Sequence, residues 1–164
     1  MSYTILKMFG RTGLVHIEEY RNSHGFAPMV WSALSKRYFR SDGISQWQRL
    51  WEEPPALEPW ERVVLECTYD RALIYRKDVP KVVKALGQFS LRYDDPKRFN
   101  HLPAIAAAML REAQTEGCVA FCFYVTSASD DLWQVRVEGS EDSRPYDLDV
   151  DTGHFVVNVE GIDG

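Results

Sequence analysis

Three aspartates occupy alternate positions near the end of the chain: Asp147, Asp149 and Asp151. Carboxylates at this spacing would match the first ligand positions of a calcium-binding loop. Such a loop needs glycine at its sixth position and glutamate at its twelfth, where this chain has Thr152 and Asn158. We therefore predict no metal site here and expect the three carboxylates to share one solvated face of a strand.

Negative charge is concentrated in the same part of the chain. Residues 130–164 contain 10 Asp and Glu but only 2 Lys and Arg, a net charge of −8, whereas residues 1–129 have a net charge of +3. A surface of one sign attracts a partner of the opposite sign and speeds its approach. The acidic segment is therefore a candidate contact for a basic protein, such as one that processes nucleic acids. The same charge would also keep an exposed sheet edge from pairing with other chains.

A second candidate contact is rich in tryptophan and comprises Trp47, Arg49, Trp51 and Trp60. Tryptophan and arginine are typical anchors of protein interfaces. Trp47 and Trp51 are four residues apart, so a helix places them on the same face. They could equally cover the hydrophobic core from outside, and the sequence leaves both interpretations open.

The histidines give no metal-binding or catalytic signature. None of the four has HxH or HxxxH spacing, and the chain contains no CxxC pair, phosphate-binding loop, dinucleotide-binding glycine motif or GxSxG motif. His24, in a predicted loop, and His101, at a predicted helix start, carry the alternative hypothesis. In that hypothesis the protein is an enzyme or a small-ligand-binding protein with a pocket between helix and sheet.

Basic and aromatic side chains surround a predicted loop at residues 92–100. Tyr93 and Phe99 alternate there with basic residues, as in proteins that bind single-stranded nucleic acid. The basic set is Lys81, Lys84, Arg92, Lys97 and Arg98. Two aspartates in the loop and a net charge of −5 for the whole chain argue against nucleic acid. We interpret the stretch as a solvated loop.

The composition is that of an ordinary globular protein, with 45% hydrophobic and 26% charged residues. We expect one domain spanning residues 1–164, with residues 160–164 as a frayed tail. No apolar run approaches the ~20 residues that cross a bilayer, and no secretory signal is present at the N-terminus, so we expect a cytoplasmic protein. Three cysteines in apolar runs are typical of buried free thiols: Cys67, Cys118 and Cys122.

Hydrophobic periodicity predicts the order of the elements. Strands are expected at residues 3–9, 14–20, 62–69, 72–76, 119–126 and 132–138, followed by a hairpin over residues 146–159, with 119–126 at the centre of the sheet. Helices are expected at residues 28–39, 46–51, 79–91 and 101–116. The proline-rich residues 52–60 are expected to form an extended connection.

These elements predict a single α+β domain, with a mainly antiparallel sheet of about six or seven strands and three main helices packed largely on one face. The other sheet face is expected to be exposed. For function, the sequence favours a non-enzymatic protein-binding module of the inhibitor, immunity or adaptor type, with a protein partner and no cofactor. The predicted contact residues are Trp47, Arg49, Trp51, Trp60, Asp147, Asp149 and Asp151.

Overall fold

The computed structural model describes residues 2–40, 44–126 and 131–163. Its strands within those ranges are β1 (Tyr3–Gly10), β2 (Gly13–Arg21), β3 (Ala72–Tyr75), β4 (Ala120–Val125), β5 (Gln134–Arg136), β6 (Ser143–Pro145) and β7 (Phe155–Val156). Five of them form a mixed sheet in the order β2-β1-β4-β3-β7, and β5 pairs with β6 separately. Only the β3–β7 pairing is parallel among those described.

The helices of the described residues are α1 (Ala27–Phe39), α2 (Ile44–Trp47), α3 (Arg49–Glu52), α4 (Pro59–Glu66), α5 (Val79–Tyr93) and α6 (Leu102–Glu112). The four longer helices, α1, α4, α5 and α6, pack on one face of the five-stranded sheet. Their apolar side chains form one buried cluster with Leu6 and Met8 of β1, Ile74 of β3 and Phe121 of β4. The α+β class is therefore confirmed, as are the N-terminal hairpin and the central position of β4.

The opposite sheet face is covered, which corrects the prediction that it would be exposed. Trp133, immediately before β5, and Tyr146, immediately after β6, are both buried against it. Their rings lie 5.2 Å apart and pack with Phe9, Leu73 and Cys122. The two-stranded sheet thus carries two large aromatic side chains that close a second, smaller core.

The predicted strand at residues 62–69 is wrong, because residues 59–66 form helix α4. Its apolar residues alternate, but they also recur at three- and four-residue spacing, and Trp60, Val63 and Val64 all face the helical core. Pro59 at the first turn suits a helix start. Glu61 then accepts a hydrogen bond of 2.9 Å from the Glu58 backbone N–H. These end signals outweigh the strand preference of valine, which is weak and depends on context.

The predicted hairpin over residues 146–159 is also wrong. Residues 147–150 form a turn, and β7 pairs in parallel with β3 through Ala72–Phe155 and Leu73–Val156. Aspartate side chains stabilise such turns by accepting bonds from nearby backbone N–H groups. The segment after β7 lies along the helices: Ile162 is buried, and Lys84 donates to the Asp163 carbonyl at 3.0 Å.

Candidate functional site

Three tryptophans from α1, α2 and α3 lie together on one side of the protein. The ring of Trp31 lies 5.6 Å from that of Trp47 and 5.4 Å from that of Trp51. Trp51 is 43% exposed, so its outer face is open to solvent. The structure therefore brings the two predicted contact residues Trp47 and Trp51 together, around a third tryptophan.

Trp31 is held in place from the side of α4. Its indole Nε1 donates a hydrogen bond of 2.9 Å to the Thr68 hydroxyl, which in turn donates to the Leu65 carbonyl at 2.6 Å. Both partners lie at the C-terminal end of α4. This chain of hydrogen bonds fixes the orientation of the Trp31 ring relative to the residues that follow α4.

A cleft of about 360 Å³ opens between these elements, which we name the aromatic cleft. It is lined by Trp31, Trp51, Thr68, Tyr69 and Asp70. The pKa of Tyr69 is raised above its ordinary value, mainly by burial and secondly by the nearby Glu66 carboxylate. Tyr69 is therefore neutral at physiological pH, and the carboxylate of the exposed Asp70 is the charged group in the lining.

This lining suits a positively charged side chain. The faces of tryptophan and tyrosine rings carry partial negative charge and attract ammonium and guanidinium groups within about 6 Å. A carboxylate at the edge of the same cleft adds direct electrostatic attraction. Apolar walls also accept the methylene stem that lysine and arginine carry behind their charge.

Aromatic surface continues beyond the cleft to the edge of the sheet. The ring of Phe155 in β7 lies 5.1 Å from that of Tyr69. Phe155 is 37% exposed and Val156 is 40% exposed. The cleft thus adjoins a strip of apolar surface on the edge strand, where a larger partner could make contact.

Trp60 and Arg49 lie apart from the cleft lining. Trp60 packs 6.2 Å from Phe89 and 6.1 Å from Tyr93, at the hydrophobic core between α4 and α5. Arg49 is exposed and lies 4.1 Å from the ring of Phe39. Trp60 therefore serves as core packing, whereas Arg49 covers one end of α1.

The three predicted aspartates do not share a strand face. The Asp151 carboxylate accepts bonds of 2.7 and 2.8 Å from Arg144 and one of 2.8 Å from the Asp147 backbone N–H. The Asp147 carboxylate accepts a bond of 2.9 Å from the Asp149 N–H. Arg144, and secondly the Asp147 N–H, lower the pKa of Asp151 to about 2. Asp147 and Asp151 thus stabilise the turn that precedes β7.

The two histidines of the alternative hypothesis lie near one loop. His24 is exposed, in a short 3₁₀ turn. The His101 Nε2 lies 2.8 Å from the Asn22 carbonyl oxygen, and its ring lies 5.7 Å from that of Tyr20. An open surface cleft of about 790 Å³ includes His101 and Glu19. These contacts connect the end of β2 to the start of α6, and a catalytic role for either histidine stays a prediction.

No group of His, Cys, Asp and Glu within the described ranges is arranged to hold a metal ion. Cys67, Cys118 and Cys122 are free and buried, and burial raises the pKa of each thiol. None of the described helices has both the length and the apolar character needed to cross a membrane.

Sequence reasoning missed Trp31, Tyr69 and Asp70. Trp31 falls within the predicted helix at residues 28–39, Tyr69 ends the predicted strand at residues 62–69, and Asp70 lies between that strand and the next. A helix prediction for residues 59–66 would have indicated Tyr69 and Asp70, because it places residues 68–70 just after a helix end. Comparison with protein-family models gave no match. Comparisons with curated proteins and with solved structures gave none either.

Proposed function

We propose that this protein is a protein-binding module that engages a basic partner through the aromatic cleft. The observation that carries the proposal is the lining itself, in which Trp31, Trp51 and Tyr69 share one cleft with the exposed Asp70. A lysine or arginine side chain of the partner is the occupant that this chemistry fits. Inhibitor, immunity and adaptor proteins all act by binding another protein.

Charge supports a basic partner. Asp70 lines the cleft, and the exposed Glu52 and Glu53 directly follow Trp51. The chain as a whole carries a net charge of −5. A basic partner is therefore attracted over a distance and then held by aromatic contacts at close range.

Preorganisation supports the cleft as the contact rather than the Asp147–Asp151 turn. Trp31 is fixed by Thr68, so the cleft loses little conformational freedom when it binds. Fully desolvated tryptophan and tyrosine side chains are the residues that most often dominate interface energies. The carboxylate of Asp151, in contrast, is already engaged by Arg144.

The direct test uses two short peptides of equal length, one with several lysines and arginines and one with glutamates in their place. Binding is followed by the shifts of the tryptophan indole N–H signals in NMR. We expect the basic peptide alone to bind, and Trp51→Ala to lower its affinity by at least about tenfold. Asp70→Asn should weaken it several-fold, whereas the matched control Asp149→Asn should leave it unchanged.

Two results would overturn the proposal: equal binding of the acidic peptide, or unchanged binding of the basic peptide to the Trp51→Ala variant. A partner captured from a cell extract counts in favour only if Trp51→Ala releases it and its contacting segment is basic. Loss of binding in Asp149→Asn with none in Trp51→Ala would move the contact to the acidic turn.

A further inference from the structure

A second cleft opens on another face of α1, and its lining is basic. It has a volume of about 480 Å³, within the range of small-molecule sites. From α1 it takes Met29, Ala33, Lys36 and Arg37, which lie along one side of that helix. Trp31 is two residues from both Met29 and Ala33 and so points elsewhere. This cleft, which we name the cationic cleft, is therefore separate from the aromatic cleft.

The opposite wall comes from the end of α5 and the loop that leads to α6. It contributes three pairs of sequence neighbours: Arg92 and Tyr93, Asp94 and Asp95, and Arg98 and Phe99. The lining thus holds four cationic side chains, Lys36, Arg37, Arg92 and Arg98, and two carboxylates, Asp94 and Asp95. Asp95 is already engaged, because its carboxylate lies 3.7 Å from Arg98 and accepts a bond of 2.9 Å from the Lys97 N–H.

A buried carboxylate, that of Glu61, contacts one residue from each wall of the cleft. Glu61 is 0% exposed and accepts hydrogen bonds from the hydroxyls of Tyr38 and Tyr93. The Arg37 Nε lies 3.8 Å from the same carboxylate. Two residues of the cleft, Arg37 and Tyr93, are therefore positioned by one buried group. A site whose side chains are held in advance loses less entropy when a ligand binds.

The floor and rim add apolar surface. Met29 and Ala33 line the cleft together with the cations. Phe99 also lines the cleft and is 62% exposed, so its ring is accessible to a ligand. A flat ring can stack on Phe99 while its charged group reaches the arginines. Arginine guanidinium groups are well suited to phosphate because they can donate two parallel hydrogen bonds.

From these observations we propose that the cationic cleft binds a phosphorylated small molecule with an aromatic ring, of the size of a nucleotide. The phosphates contact Arg37, Arg92 and Lys36, and the ring stacks on Phe99. This proposal does not depend on the protein-binding role of the aromatic cleft. It also differs from binding of a nucleic acid strand, which would need a long basic groove.

The test is calorimetric titration of the full chain with three probes: ADP, inorganic pyrophosphate and adenosine. We expect ADP to bind, pyrophosphate to bind more weakly, and adenosine not to bind in the same range. Arg92→Gln should weaken ADP binding by about tenfold, as expected when one charged hydrogen bond is lost. Lys97→Gln is the matched control, because Lys97 is an exposed cation of the same loop outside the cleft lining.

Phe99→Ala separates the two parts of the site. We expect it to weaken ADP and leave pyrophosphate unchanged. The proposal is overturned if ADP fails to bind at millimolar concentration, if adenosine binds as well as ADP, or if Arg92→Gln and Lys97→Gln behave alike. Binding of a single-stranded oligonucleotide in place of ADP would also overturn it. The three substituted side chains, Arg92, Lys97 and Phe99, are exposed, so we expect each variant to fold, and circular dichroism checks this.

Discussion

The indole of Trp31 in α1 is hydrogen bonded to the hydroxyl of Thr68, which follows α4, over a distance of 2.9 Å. This bond connects α1 to the residues that follow α4, beside the aromatic cleft. Because Thr68 also donates to the Leu65 carbonyl, its hydroxyl acts as both acceptor and donor. The position of the cleft therefore depends on the contact between α1 and the end of α4.

Thr68→Val tests this dependence, since valine keeps the shape of threonine and removes the hydroxyl. We expect a loss of about 1–2 kcal/mol in the free energy of unfolding, because a half-buried indole N–H is left without an acceptor. The Trp31 indole signal in NMR should shift. Thr115→Val is the control, because that hydroxyl contacts Glu112 on the exposed surface. Equal losses in the two variants would contradict the structural role of the Trp31–Thr68 bond.

Trp51 and Trp60 should respond differently to truncation. Trp60→Ala removes a ring packed against Phe89 and Tyr93, so we expect a loss of about 2–4 kcal/mol in the free energy of unfolding. Trp51→Ala removes a side chain that is 43% exposed, and we expect a loss of about 1 kcal/mol or less. Urea denaturation measures both. The reverse order would assign Trp51 to the core and Trp60 to the surface.

The buried carboxylate of Glu61 should be a large contributor to stability. Glu61→Ala leaves two tyrosine hydroxyls and the Glu58 N–H without their acceptor, at an expected cost of about 2–4 kcal/mol. Glu61→Gln retains an acceptor oxygen and should cost less. The control Glu116→Ala removes only an exposed ion pair with Arg11, and should cost less than about 1 kcal/mol. Equal denaturation midpoints for Glu61→Ala and Glu116→Ala would refute this.

Asp151 should give a pH-dependent contribution to stability. Its folded-state pKa of about 2 lies below the ordinary value of 3.8, mainly because Arg144 stabilises the charged form. The contribution is therefore complete above about pH 4 and is lost as the pH falls from there towards 2. NMR titration of the carboxyl carbon should show the low midpoint, and Arg144→Gln should raise it. A midpoint that Arg144→Gln does not change would contradict this assignment.

The sequence was most informative where one periodicity dominated. Helix α5 was predicted from an apolar stripe at helical spacing, formed by Val79, Val82, Leu86 and Phe89. The central strand β4 was predicted from residues 119–126, which are apolar on both faces of a strand. The prediction from sequence was wrong where strand-like and helix-like periodicity coexisted, as in α4. There the choice between strand and helix was decided by Pro59 and Glu61, which act at the helix start.

The candidate site was recognised only in part. The four-residue spacing of Trp47 and Trp51 predicts that one helix places both on the same face. The structure places them in two short helices, α2 and α3, where each ring lies close to that of Trp31. Trp31, Thr68 and Tyr69 come from other elements, and only the packing of α1 on α4 brings them into one cleft. The same is true of Arg37 and Arg92, which face each other across the cationic cleft. Such long-range contacts leave no local pattern.

The parallel pairing of Ala72 with Phe155 joins opposite halves of the chain. Closing so long a segment costs entropy and slows the formation of the contact. We therefore expect β7 to join the sheet late in folding. The Val157 N–H, which donates to the Leu73 carbonyl, should then gain protection from hydrogen exchange slowly. Since Phe155 packs on Tyr69, the aromatic surface is completed in that last step. A chain that has not finished folding would then lack the complete aromatic surface that the proposed protein contact requires.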